Sequence, residues 1–136
     1  MKSNPLKPEL YVSDFEKSLI FYTKILGFNI EYQREKPLFA FLSYQESQLM
    51  IQEQEKHWQT GPLEYPYGRG INFQIKTDHL QQLLDNLKKN NYPLKDEPEE
   101  NWYRANNVLH GVREFNVMDP DGYLLRFSQE IGTKAA

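Results

Sequence analysis

Chemistry has few places to start in this chain of 136 residues. No cysteine is present, which removes disulfides, thiol catalysis and thiolate metal sites. His57 falls in a Pro- and Gly-rich connection, His79 opens a helix and His110 lies in a long irregular stretch, so they read as exposed or half-exposed imidazoles. Ser18 and Ser43 have no obvious base and there is no G-x-S-x-G turn, which leaves serine catalysis without a motif. Glu99-Glu100 reads as a solvated loop pair, and Gly68-Arg69-Gly70 leads into a strand, unlike a phosphate loop. What stands out is Arg126. In "DPDGYLLRF", Asp119 to Phe127, a turn is followed by a short apolar run broken by one permanent cation. Amides at strand positions (Gln52, Asn72, Gln74) and aromatics in the connections (Trp58, Tyr67, Trp102, Tyr103) complete the inventory. These are groups for hydrogen bonding and stacking, so they point to binding.

The elements that would position them follow from periodicity. Ser13 to Leu26 has Phe15, Leu19, Tyr22 and Ile25 or Leu26 on one helical face, with capping-box spacing at Ser13 and Glu16 and a stop at Gly27. Asp78 to Asn90 places Leu80, Leu83, Leu84 and Leu87 at i, i+3, i+4 and i+7. Extended runs precede each helix, Glu9 to Val12 and Gly70 to Lys76. Others follow: Phe28 to Gln33, Leu38 to Tyr44 and Leu49 to Glu53 after the first, then a piece near Tyr92 to Leu94, Val112 to Met118 and Tyr123 to Ser128 after the second. The order β-α-β-β-β thus occurs twice. The predicted fold class is α+β: two paired βαβββ modules forming a curved mixed sheet, with a concave ligand cavity inside and helices outside. The whole chain, residues 1–136, is expected to form a single domain, with module 1 at about 6–54, a linker at 55–68 and module 2 at about 69–131. Lys95 to Gly111 reads as a long irregular loop, and Lys134 to Ala136 as a frayed end.

Composition narrows the partners. A formal net charge of −3 with interspersed signs argues against nucleic acid. No apolar run approaches membrane-spanning length and Met1 to Glu9 lacks a signal-peptide pattern, so the expectation is a cytoplasmic protein with no membrane partner.

With this pattern, the sequence resembles the vicinal oxygen chelate superfamily, the glyoxalase / bleomycin-resistance / dioxygenase group. "YVSDFEKSLIFYTKILGF" (Tyr11 to Phe28) is similar to its first strand and helix, "GINFQIKTDHLQQLLDNLKK" (Gly70 to Lys89) to its second module's opening, and "GVREFNVMDPDGYLLRF" (Gly111 to Phe127) to its closing hairpin. Metal-using members hold a divalent ion with His, Glu or Gln, one from each of four strands. Carried over, those positions fall on Lys7, Gln52, Gly70 (or Ile71) and Arg126; a one-residue slip brings Glu9 or Glu53 in place of a neighbour. Lysine and arginine are donor-only cations and glycine has no side chain, so the resemblance implies no metal site and no other cofactor.

The nearest kind of member is then the bleomycin-resistance type, which sequesters its ligand and does no chemistry. Arg113-Glu114-Phe115 is similar to a run of that subgroup, and Pro8 lies where its N-terminal strand can cross to a second subunit. The resemblance therefore implies a homodimer, possible strand exchange, and a small organic ligand such as a drug or metabolite. Alternation directs Asn72, Gln74, Gln52 and Arg126 into the cavity, with Glu114 joining them if the hairpin register allows. Trp58, Tyr67, Trp102 and Tyr103 are expected to stack on planar ligand groups from loops above it. No catalytic residue is assigned. The alternatives are a superfamily enzyme, lactoylglutathione-lyase-like or dioxygenase-like, with a displaced metal site, and a partner-binding domain that uses its sheet edge.

Overall fold

The structure, a computed structural model, describes residues 2–136. It divides into two compact units. Unit 1 runs to Arg69 and also includes Asp119–Tyr123; unit 2 is Gly70–Met118 with Leu124–Ala136.

In unit 1 the chain forms β1 (Glu9–Val12), α1 (Phe15–Ile20), β2 (Asn29–Glu35), β3 (Leu38–Tyr44) and β4 (Ser47–Glu53). The sheet order is β1-β4-β3-β2, with β1 parallel to β4 and the other pairs antiparallel. Asp14 caps α1, its side chain accepting from Lys17 N at 3.1 Å. The predicted capping box at Ser13 does not form: the Ser13 amide and hydroxyl both donate to Asp121 instead. The helix continues as a π-helical turn, Phe21–Ile25, and closes at Gly27, whose φ of +86° suits a residue without Cβ. Phe15, Phe21, Tyr22 and Leu26 are buried, as are Val12, Ala40, Leu42 and Ile51 of the strands. Tyr22 meets Phe21 and Phe28 edge to face, at 5.1 and 5.5 Å between ring centroids. Apart from Ala40, each of these side chains stabilises the unit by roughly 1.5–3 kcal/mol relative to exposure.

Unit 2 repeats the order with β5 (Asn72–Lys76), α2 (Leu80–Lys89), β6 (Asp96–Ala105), β7 (Val108–Met118) and β8 (Leu124–Ala135). Its sheet runs β5-β8-β7-β6, again with one parallel pair, β5 and β8. Leu80 opens α2 by donating its N–H to Gln129 Oε1, and Leu80, Leu83 and Leu87 are buried as the spacing predicts. Ile75, Phe115, Val117, Leu125 and Phe127 form the buried face of the sheet.

Two βαβββ modules are therefore present, but their strands pair into two four-stranded sheets rather than one. The predicted loop at Lys95 to Gly111 is β6, a tight turn and the start of β7. Its backbone groups pair along the register from Glu99↔Glu114 to Ala105↔Val108, and a positive φ at Asn106 turns the chain. The strand expected near Tyr92 to Leu94 is absent among the described residues; Tyr92 instead donates its hydroxyl to Met118 O. The expected frayed end is paired too, Lys134 with Leu109 and Ala135 with Val108.

Candidate functional site

The non-helical face of the unit 2 sheet gathers five of the nine side chains assigned to binding from sequence. Register places Arg126 on β8 between Gln74 on β5 and Asn116 on β7. One step along, Glu114 pairs across with Ser128 on one side and with Glu99 on the other. Side chains at alternate positions share a face, so Asn72, Gln74, Arg126, Glu114 and Tyr103 lie together. Arg126 Nη1 donates to Asn72 Oδ1 at 3.4 Å, a long bond, and makes no ion pair among the described residues. Most of its five N–H donors are left for a ligand or for water.

The acidic end of this face is held by hydrogen bonds rather than by counter-charges. Asn101 Nδ2 donates to both Glu99 and Glu114 at 3.0 Å, bridging two carboxylates that would otherwise repel across the strands. Tyr103 hydroxyl donates to Glu114 at 2.6 Å. That bond, with some burial and the Glu114 charge, holds the phenol above its usual range, while Arg126 pulls it the other way.

The other assigned residues are placed differently. Trp102 is the strand neighbour of Tyr103 and so points to the opposite face, correcting the expectation of two loop aromatics acting together. Its ring lies on Gly111, with Lys134 Nζ 4.0 Å from the ring centroid, and its indole N–H donates to Glu100. Tyr67, in unit 1, is buried: its hydroxyl donates to Gln54 Oε1 at 2.7 Å and its ring meets Tyr123 edge-on. It pins the connection and is not a stacking platform. Trp58 is 64% exposed, with its backbone N–H donating to Tyr11 Oη. Gln52 is buried on β4 and its amide donates to Glu55 at 3.3 Å.

The positions onto which the family resemblance carries metal ligands make other contacts. Lys7 Nζ donates to Ser3 Oγ and lies 5.6 Å from the Phe41 ring centroid. Gln52 is directed to Glu55, Gly70 offers no side chain, and Arg126 is a cation beside Asn72. Among the described residues no group of three or more His, Cys, Asp or Glu is placed to hold an ion. The donor set does not fit a divalent metal.

Sequence reading treated Asp119 and Asp121 only as turn residues. Both are buried in unit 1. Asp119 accepts from Tyr22 hydroxyl at 2.8 Å and from the backbone N–H groups of Asp121 and Tyr123 at 2.9 and 3.0 Å. Burial pushes its carboxyl up to about 6, against the opposing pull of those three donors. Tyr123 donates its hydroxyl to Tyr11 O at 2.8 Å and meets the Tyr67 ring edge-on. Beyond those two local N–H groups, the turn's partners Tyr22, Ser13 and Tyr11 lie 97 to 112 positions away in the chain, so no local signal announced them.

Among the described residues no helix is long and apolar enough to cross a membrane. A family model described as Glyoxalase/Bleomycin resistance protein/Dioxygenase superfamily matches residues 6–127. No curated protein matches significantly. Among solved structures, the chain is similar to a glyoxalase/bleomycin resistance protein/dioxygenase from Alicyclobacillus acidocaldarius (19% identity, TM-score 0.66, covering 95% of this chain and 92% of that one). A virulence protein from Salmonella typhimurium gives 17% identity and a TM-score of 0.69, covering 96% and 99%. A lactoylglutathione lyase from Agrobacterium tumefaciens gives 13% and 0.60, covering 95% of each chain. At these identities the likeness is one of fold. With the family model spanning most of its length, the chain belongs to the glyoxalase/bleomycin resistance protein/dioxygenase superfamily.

Proposed function

We propose that this protein binds and sequesters a small organic ligand, a drug or a metabolite, without a metal, in the manner of the bleomycin-resistance type. The observation that carries the reading is Arg126. It lies between the amides Gln74 and Asn116 with no carboxylate paired to it among the described residues, and the family resemblance carries a metal-ligand position onto it. A guanidinium there repels a divalent cation and offers donors to an oxygen-rich ligand. Tyr103, Glu114 and Asn101 supply a hydrogen-bonded polar rim at the other end of the same face. The same reading includes a homodimer, in which Leu6, 86% exposed ahead of β1, becomes covered by the second copy.

The test is a thermal-shift panel of drugs, bleomycin among them, and of oxyanionic metabolites, run on the wild type and on Arg126→Gln. A ligand present at a hundredfold excess over its Kd stabilises by about 2.7 kcal/mol. The reading expects at least one organic ligand to raise Tm in the wild type and to lose most of that shift in Arg126→Gln. A shift seen only with Ni²⁺, Zn²⁺ or Mn²⁺ contradicts it. Light scattering that gives a monomer removes the dimer.

A further inference from the structure

Unit 1 carries a pocket of about 270 Å³ that the reading above does not use. Three aromatic residues wall it: Tyr11 of β1, Trp58 of the connection after β4, and Tyr123 at the end of the Asp-Pro-Asp-Gly turn. Leu63 adds an apolar contact, and Glu9 is the one charged side chain in the lining. Both phenol groups are already engaged. Tyr123 hydroxyl donates to Tyr11 O at 2.8 Å, and Tyr11 Oη accepts from Trp58 N at 2.9 Å. What the three residues leave for a ligand is therefore mainly ring surface.

The one charged side chain of the lining is an acid. Glu9 is exposed at the first position of β1 and unpaired among the described residues. Asp119 and Asp121, buried in the same unit, have hydroxyl and backbone partners but no cationic one among the described residues. Burial first, and then the charges of Asp119 and Asp121, hold the Tyr123 phenol well above its usual range. No lysine or arginine lines the pocket.

We propose that this pocket binds a small organic cation bearing a quaternary or fully methylated ammonium group, with Glu9 as its counter-ion and Trp58, Tyr11 and Tyr123 as its walls. Ring faces attract a cation through their quadrupole, most strongly for tryptophan, and the attraction grows when water is excluded. A methylated ammonium has no N–H to satisfy, so it suits a lining in which three rings predominate; a primary ammonium brings three donors that the rings do not accept, with Gln59 and Thr60 as the uncharged polar side chains of the lining. Trp58, left 64% exposed, is the side chain such a ligand would cover.

Calorimetric titration of the full chain decides the matter with choline, ethanolamine and 3,3-dimethylbutanol, the last having the shape of choline without its charge. Choline should bind saturably, with both other probes weaker by roughly tenfold or more, in line with one desolvated cation–aromatic contact. Trp58→Ala and Glu9→Gln should each weaken choline by a similar factor; both residues are exposed, and circular dichroism confirms that the variants fold. Equal binding of choline and 3,3-dimethylbutanol overturns the charge requirement, and equal binding of ethanolamine overturns the ligand class. No saturable heat at millimolar choline overturns the site itself. None of these outcomes touches the role given to Arg126, which lies in unit 2.

Discussion

Replacing Asp119 by Asn should flatten the pH dependence of stability between about pH 4 and pH 6. The carboxyl is buried, and its pKa is raised from 3.8 to about 6. An acid whose folded pKa lies above its unfolded one takes up its proton first in the folded state. Through the window between the two values the folded state holds more protons, so stability falls as pH rises. About two units at 1.36 kcal/mol each is about 3 kcal/mol, fully present as a cost above pH 6 and absent below about pH 4. Asn keeps the shape. Its carbonyl can still accept from the N–H groups of Asp121 and Tyr123, while its NH₂ requires the Tyr22 hydroxyl to turn and accept. Losing a charge-assisted bond offsets part of the gain at neutral pH, so the diagnostic is the slope and not the value at one pH. Urea unfolding of both proteins at half-unit steps from pH 4 to 7 gives the difference curve, in which other titrating groups largely cancel. The variant should gain on the wild type by about 3 kcal/mol across the window. A flat difference, or one that moves against the variant as pH rises, would show that the three donors outweigh burial and that the carboxyl is not raised.

Two glycines give sharper steric tests. Gly122 has a φ of +93°, and a Cβ there would lie 2.5 Å from Pro66 Cβ and 2.7 Å from Pro66 Cα. Gly122→Ala should therefore cost about 2–5 kcal/mol, combining left-handed strain and overpacking, read as a lower urea midpoint at unchanged m; a loss under about 1 kcal/mol would mean the turn relaxes freely. A Cβ on Gly111 would lie 2.6 Å from the Trp102 ring. Gly111→Ala should displace that ring from its place beneath Lys134 and shift tryptophan emission, with a destabilisation of about 1–3 kcal/mol; an unchanged spectrum would contradict the packing described.

How much of this was legible in the sequence follows from where each signal lives. The apolar spacing of Leu80, Leu83 and Leu87 announces α2 because the helix itself carries the pattern. Strand β6, Asp-Glu-Pro-Glu-Glu-Asn-Trp-Tyr-Arg-Ala, carries none: it is an edge strand, mostly exposed, held by backbone pairing to β7, and its acids and proline disguise it as a loop. Missing that strand also cost the parity of Trp102 and Tyr103, since neighbours in a loop have no fixed faces and neighbours in a strand do. Asn72, Gln74 and Arg126 were readable because β5 and β8 alternate cleanly against Ile75, Leu125 and Phe127. Ser13 shows the limit of local rules. Its spacing to Glu16 satisfies a capping box, yet Asp121, distant in the chain, takes both its donors and leaves the cap to Asp14. The aromatic pocket escaped for the same reason, because Tyr11, Trp58 and Tyr123 meet only in the folded unit.

The central claim is that this member of the superfamily binds its ligand without a metal. It is tested most directly by elemental analysis of the purified protein after saturation with Ni²⁺, Zn²⁺ or Mn²⁺ and exhaustive dialysis. With Lys7, Gln52, Gly70 and Arg126 at the aligned positions, the account predicts far less than one ion per chain for every metal. One tightly held ion per chain, lost on replacing Gln52 or another side chain from those strands, would contradict it.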